Sequence, residues 1–399
     1  MGMNAIYDRR YETLSAAERE QFQWERLQAL LNRLQRNVRR YREKLEGSKI
    51  ESLADLSSLP FTTAEELADA FPYGLFSFPL REIIRIHSTV GPEGKPLVIG
   101  HTRNDLIHWG RLVARQLVAA GVTANDVIQI SLGGNATAGS SGFALGGEQV
   151  EASLIAEDPY HLDYQLAMLQ NYRPTILITT PSNASDLMRL IDQKKIDPQS
   201  LHLRTVLLSR PVSVADRDLI KASLFAAVRC NFGIGEMLDP GFCTECEHGC
   251  FHANEDQFLV ESVDNELVVT SLTREAMPLL RYRTRIAGVL SRDKCPCGRT
   301  GAIIQPGQRL DQRLLINETP LYPSQIAEVL SQSLVAGRPF QTEVLERHLV
   351  VRILMTPEFF SDTIWVLEKT QRQIQSDFLS RLGIEAVVRF VEPRSWTGK

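Results

Sequence analysis

Val127-Ile-Gln-Ile-Ser-Leu132, Thr175-Ile-Leu-Ile-Thr-Thr180 and Thr205-Val-Leu-Leu208 are short runs of apolar and β-branched residues. Unbroken apolar character over so few residues suits a strand buried on both faces, as in a parallel sheet covered by helices. Further strands are read at Ile83–His87, Leu97–Gly100 and Ala152–Ala156. Helical spacing of apolar residues marks Asn104–Ala120, Tyr164–Asn171, Ala184–Gln193 and Val214–Ala226. Strand and helix alternating in this way predict an α/β fold with a largely parallel sheet.

Upstream, Ser15–Glu46 predicts one long helix, with Phe22, Leu27, Leu30, Leu31, Leu34 and Val38 at helical spacing. Ser15 with Glu18 three residues on is a capping pair, and Gly47 a stop. Its basic end (Arg36, Arg39, Arg40, Arg42, Lys44) complements the helix dipole and reads as a solvated face. Downstream, Phe258–Ile286 is irregular and β-rich. After Asp311 the pattern restarts with a strand, a helix (Pro323–Leu334), strands near Thr342–Leu345 and Leu349–Met355, a helix (Phe360–Leu382) and a strand (Ala386–Phe390). The expected division is a large domain with mixed and parallel sheets over residues 1–310 and a small α+β domain over 311–399.

The 399 residues include 43% hydrophobic and 23% charged, the balance of a folded chain rather than a disordered one. A net charge of −4 lacks the basic footprint of a nucleic-acid binder. No run approaches the roughly 20 apolar residues of a membrane span, and Met1–Arg10 has no apolar signal core. A cytoplasmic protein with neither nucleic acid nor membrane as partner is expected.

Three stretches carry candidate chemistry. His87-Ser-Thr-Val-Gly-Pro-Glu-Gly-Lys-Pro96 follows an apolar strand and ends in Gly-Lys, so backbone N–H groups and one cation can face phosphate oxygens. A plain hairpin turn on Gly-Pro-Glu-Gly competes with that reading. Asn231-Phe-Gly-Ile-Gly-Glu236 sets a carboxylate in a glycine-flanked loop, where it can hold magnesium or merely close a turn. Arg281-Tyr-Arg-Thr-Arg285 spaces three arginines by two, which on a strand puts them on one face. That face suits phosphate or carboxylate, or else acidic cross-strand partners.

Five of the six cysteines crowd into one region. Cys246-x5-His252 and Cys295-Pro-Cys297-Gly supply three thiolates and an imidazole, a complete tetrahedral set for a structural zinc ion. Cys243, Cys250 and His248 are spare candidates on the same loop.

Taken in order, these pieces resemble the phenylacetate–CoA ligase family of AMP-forming enzymes, over nearly the whole chain. The family's His-Ser-Ser-Ser-Gly-Thr-Thr-Gly-Lys-Pro matches His87–Pro96, its Tyr-Gly-Leu-Ser-Glu matches Phe232–Glu236, and its Arg-Tyr-Arg-Thr-Arg-Asp matches Arg281–Ile286. Thr270–Leu280, Cys295–Thr300 and Tyr322-Pro-Ser-Gln-Ile326 are also similar. The resemblance implies an adenylate-forming large domain with a mobile small domain. It implies that Mg-ATP and a carboxylic acid, aryl or related, give an acyl-adenylate, from which CoA or another thiol displaces AMP. Gly91, Gly94 and Lys95 would then form the phosphate loop, with Phe232, Gly233 and Arg309 at the nucleotide. Glu236 would face magnesium, Asp311 would sit at the hinge and Lys399 would be the adenylation lysine. A homodimer is compatible with this reading.

The departures fall mostly on the nucleotide side. Thr89, Val90, Pro92 and Glu93 stand where the family has Ser, Ser, Thr and Thr, and Ile286 replaces the Asp that would take the ribose hydroxyls. Gly235 replaces a Ser, Leu208-Ser-Arg-Pro211 replaces Gly-Ala-Glu-Pro, and Asn317-Glu-Thr-Pro320 replaces Arg-Gly-Val-Asn. An aromatic run in the acyl pocket becomes Ile130-Ser-Leu-Gly-Gly-Asn-Ala-Thr137, poor in rings. The alternative is therefore a ligase-fold protein that has lost adenylation and binds a ligand or partner.

Overall fold

The computed structural model describes residues 6–132, 137–155, 161–316, 319–345, 348–355 and 364–392. It divides into two compact units, one of residues 1–89 with 96–310 and one of residues 90–95 with 311–399.

In the first unit a parallel sheet runs, among the described residues, in the order Ser153–Ile155, Val127–Ser131, Ile176–Thr179, Thr205–Leu208, Ala227–Cys230. Ile128, Ile176, Leu177, Ile178, Val206 and Leu207 are each 0% exposed, the burial that their unbroken apolar runs anticipate. One helix beside this sheet escaped the sequence reading. Thr137–Val150 contains Gly139, Gly142, Gly146 and Gly147, residues that disfavour helix. They serve close packing: a Cβ at Gly146 would lie 2.4 Å from Val113 Cγ1 and one at Gly142 2.7 Å from Trp109 Cζ2, both on the Arg103–Ala119 helix.

The N-terminal helix is capped by Ser15 and Glu18 reciprocally, yet it ends at Asn37 and resumes at Arg39–Lys44. Val38 between them is extended and 1% exposed. The kink keeps Leu34 and Tyr41 on the core together, and the Tyr41 hydroxyl reaches Thr62 Oγ1 at 2.8 Å.

A second, antiparallel sheet orders its described strands Phe258–Val263, Glu266–Ser271, Tyr282–Ser291, Ile303–Arg309, Phe251–Ala253, Cys243–Glu245. It carries most of the chemistry below. The other unit has its own core, with Ile326, Leu349, Val351, Ile374, Phe378 and Val388 buried between two helices and three strands among the described residues. Those helices are Pro323–Ser331 and Ile364–Leu382; the expected start of the second at Phe360 lies outside the described residues. No described helix is long and apolar enough to cross a membrane.

Candidate functional site

The loop bearing Glu236 leaves the buried end of the Ala227–Cys230 strand. Asn231, 2% exposed, donates from Nδ2 to Asp239 Oδ1 at 2.6 Å and accepts from Gln116 Nε2 at 3.1 Å. The chain folds back so tightly that a Cβ on Gly233 would sit 1.6 Å from Asp239 Oδ1. Glycine is therefore obligatory there. Burial pushes the Asp239 carboxyl up to about 6, with the Glu236 charge adding to the shift.

Glu236 is half-buried, and its carboxylate acts on the Tyr282 phenol. Burial first, and Glu236 next, hold that phenol well above its ordinary range, so it remains a donor. Arg309 acts on the same phenol electrostatically. A Cβ on Gly235 would lie 3.9 Å from Thr89 Oγ1, which sets a hydroxyl of the first hairpin against this loop. Phe232, expected at the nucleotide, has its ring packed edge-on to Phe242 and Phe251 and is 6% exposed. It anchors the loop from the core side.

The glycine-lysine stretch is a hairpin between strands Arg85–Val90 and Pro96–His101, so the first strand starts two residues later than expected. Gly91 N–H donates to Lys95 O at 2.8 Å, Lys95 N–H donates to Pro92 O at 3.0 Å, and Gly94 turns the chain at φ +77°. The backbone here is the hairpin turn that Gly-Pro-Glu-Gly favours, with Lys95 exposed. Lys399 lies outside the described residues.

The three arginines do not share one anion-binding face. Positive φ at Arg281 (+44°) and Arg285 (+58°) breaks the strand alternation. Arg281 Nη2 pairs with Glu261 at 2.9 Å, Arg283 Nε with Glu266 at 2.7 Å, and Arg285 with Glu65. Acidic partners take all three, as the competing reading expected. Ile286, 8% exposed, pairs in register with Arg309, so an aliphatic side chain stands opposite this arginine.

The cysteines converge. Ligand atoms of Cys246, His252, Cys295 and Cys297 all lie within 4.8 Å of one another. Cys246 and Cys295 sulfurs are 3.7 Å apart, and Cys297 Sγ lies 3.3 Å from His252 Nε2. Tetrahedral zinc with Zn–S near 2.3 Å and Zn–N near 2.05 Å requires edges of about 3.8 and 3.6 Å, so the donors are nearly at bonding separations. His252 Nδ1 lies 3.2 Å from Gly301 O, a contact that fixes the tautomer with Nε2 facing the sulfurs. Hydrogen bonds, that from Cys246 first and that from the Arg299 N–H among them, pull the Cys297 thiol down into the thiolate range. Of the spare candidates, Cys243 is turned away to the Phe232 carbonyl at 2.9 Å, and neither Cys250 nor His248 joins the group.

Sequence reasoning did not single out Tyr282, Asp239, Asn231 or Arg274 as site residues. Arg274 is 2% exposed and donates to the Glu236 carbonyl. Its place within Thr270–Leu280, a stretch similar to the family's, was its signal in the sequence.

No protein-family model matches the chain. It is 33% identical to the phenylacetate-coenzyme A ligase of Thermus thermophilus over 346 residues, 82% of this chain and 78% of the relative. It is 29% identical to the phenylacetate-coenzyme A ligase of Aromatoleum evansii over 96% of this chain and 92% of that one. Among solved structures, 2-hydroxyisobutyryl-CoA ligase in complex with 2-HIB-AMP and CoA superposes with a TM-score of 0.87 at 23% identity, covering 98% of this chain and 90% of that chain. The amide bond synthetase McbA from Marinactinospora thermotolerans shares the fold at a TM-score of 0.56, 13% identity and 78% of this chain, 66% of its own.

Proposed function

This chain belongs to the phenylacetate–coenzyme A ligase family, and on that footing we propose that it activates a carboxylic acid as an acyl-adenylate and passes the acyl group to CoA or another thiol. In the first step a carboxylate oxygen bonds to the α-phosphorus of ATP, and the bond to the departing pyrophosphate breaks. In the second a thiol sulfur bonds to the acyl carbon, AMP leaves, and the thiol proton is lost to solvent. The carrying observation is the loop of Glu236, closed by Gly233 against Asp239, with its carboxylate acting on the buried Tyr282 phenol.

Glu236 would hold magnesium, which supplies charge neutralisation on the phosphates when bound. Lys95 with the hairpin amides would bind phosphate, and Arg309 would meet the nucleotide. Lys399 would offset charge growing on the α-phosphate. Cys246, His252, Cys295 and Cys297 would hold one zinc ion that pins two loops. The ring-poor acyl stretch favours an acid bulkier or more polar than a plain aryl acid. The cytoplasm, where ATP and reduced thiols coexist, is the expected compartment.

Ile286 favours one second reading, a binding protein without adenylation, because it offers ribose no acceptor. ATP–pyrophosphate exchange over a panel of aryl and alkyl acids separates the two. We expect exchange with an ATP KM near millimolar, since each decade lost corresponds to about 1.4 kcal/mol. Ile286→Asp should lower that KM by about tenfold, the worth of one charge-assisted hydrogen bond. Lys399→Ala should cut exchange by about 10²-fold or more, the scale of a lost charge-stabilising group. Absence of exchange with every acid, in Ile286→Asp as well, would favour the second reading.

The division into domains near Leu310–Asp311 belongs to the same proposal. Limited proteolysis should cut first around 309–312 and release a C-terminal piece of about a fifth of the chain, the size of a small domain. Protection of this segment with cleavage elsewhere would argue for one fused unit.

A further inference from the structure

Apart from the groups assigned above, a buried cluster joins the stem of the first hairpin to the Glu236 loop. Arg274 lies in the turn after the Glu266–Ser271 strand and is 2% exposed. Its Nη1 donates to the Glu236 carbonyl, and its Nη2 reaches the Gly100 carbonyl at 3.4 Å. One planar guanidinium thus ties the carboxylate loop to the hairpin strand Pro96–His101. Among the described residues no carboxylate pairs directly with it; Glu236 and Asp105 are the acids whose field it feels.

The turn that carries Arg274 is itself fixed. Asp105, 1% exposed, accepts from the Glu275 N–H at 2.7 Å and from the Ala276 N–H at 2.9 Å. Arg33 donates to the Arg274 carbonyl at 2.8 Å.

A second tie runs beside the first. His87 and His101, one on each hairpin strand, stack at 5.0 Å, and His101 stacks on Trp109 at 5.1 Å. Trp109 Nε1 donates to the Pro240 carbonyl at 2.6 Å, at the far end of the Glu236 loop. Burial, with Arg274 adding, holds His87 down at about 4 and His101 at about 2, so both rings are neutral and can stack beside a cation.

We propose that Arg274, with the His87–His101–Trp109 stack, is a positioning brace that sets the Glu236 carboxylate relative to the hairpin stem, and so governs metal–nucleotide binding rather than acid binding. The inference rests on the ligase reading for its kinetic consequence, whereas the brace itself is read without activity.

The test compares wild type, Arg274→Lys, Arg274→Met and Trp109→Phe. Hydrogen exchange of the 233–241 amides reads the brace directly. Protection should fall about tenfold or more in Arg274→Met and less in Arg274→Lys, which keeps the charge and one donor path. In pyrophosphate exchange the KM for Mg-ATP should rise about tenfold in Arg274→Met, with partial recovery in Arg274→Lys and an acid KM within twofold of wild type. Should Arg274→Met fail to fold, Trp109→Phe removes the bond to Pro240 together with part of the ring that stacks on His101, and should loosen 237–241 locally. Unchanged protection, or protection lost evenly along the chain with both KM values unchanged, would overturn the brace. A wild type without exchange would overturn the ligase reading instead and leave local protection to decide the brace.

Discussion

Replacing Cys297 by Ser is expected to empty the cysteine–histidine cluster of zinc and lower the melting temperature by about 3–6 °C. Four donors already stand near tetrahedral separations, with Cys246, His252 and Cys297 buried. In Cys297→Ser two sulfurs, a hydroxyl and an imidazole are left crowded into a small volume with no ion between them. Removing a ligand converts metal-binding free energy into lost folding free energy. Discounting for a domain that keeps its large apolar core, about 3 kcal/mol remains, and in a chain of this size each kcal/mol moves the midpoint by about 1–2 °C. Elemental analysis should find about one zinc per wild-type chain, as a closed four-ligand site holds one ion. The loss should spread to the N-terminus, because Arg299 joins the two regions: its N–H meets Cys297 Sγ at 3.4 Å and its Nε meets Glu12 at 2.7 Å. A Cys297→Ser protein that melts with wild type, or a wild type without metal, would refute the site.

The outcome for each residue follows the range over which its signal acts. Strands such as Thr205–Leu208 were readable because burial on both faces leaves an unbroken apolar run. The four clustered thiol and imidazole groups were readable because their spacing within each loop is a local constraint, although the choice among Cys243, Cys250 and their neighbours required the fold. The Thr137–Val150 helix was not, since its glycines answer to a partner helix and not to local propensity. The arginine triplet misled for a related reason. Alternation in sequence becomes a shared face only where the backbone stays extended, and positive φ at Arg281 and Arg285 breaks it. Arg274 and Asp105 were invisible because their partners are backbone groups about 38 and 170 residues away, the separations of Arg274 from Glu236 and of Asp105 from Glu275.

Substituting Gly233 by Ala should abolish nearly all adenylation while the protein still folds. The added methyl would meet Asp239 Oδ1 at 1.6 Å, and the next atoms, Cγ and Cβ of Asp239, at 2.2 and 2.9 Å. No rotamer of alanine relieves this, so Asp239 must swing out or the backbone must shift. Asp239 is held by Asn231 Nδ2 at 2.6 Å, and Asn231 is held in turn by Gln116. Moving it breaks a buried polar chain, at a cost of about 1–3 kcal/mol for each partner left unsatisfied. The alternative moves Ile234–Met237, and Glu236 with them. A displacement of about 1 Å at a catalytic group costs about 10²-fold. Both routes lead to the same kinetic result, with exchange down by at least about 10²-fold. A second substitution tests the steric cause: Gly233→Ala/Asp239→Ala removes the clashing carboxyl group, leaves only the Cβ contact at 2.9 Å and should recover part of the rate. Wild-type exchange in Gly233→Ala would show that Glu236 does not depend on this turn.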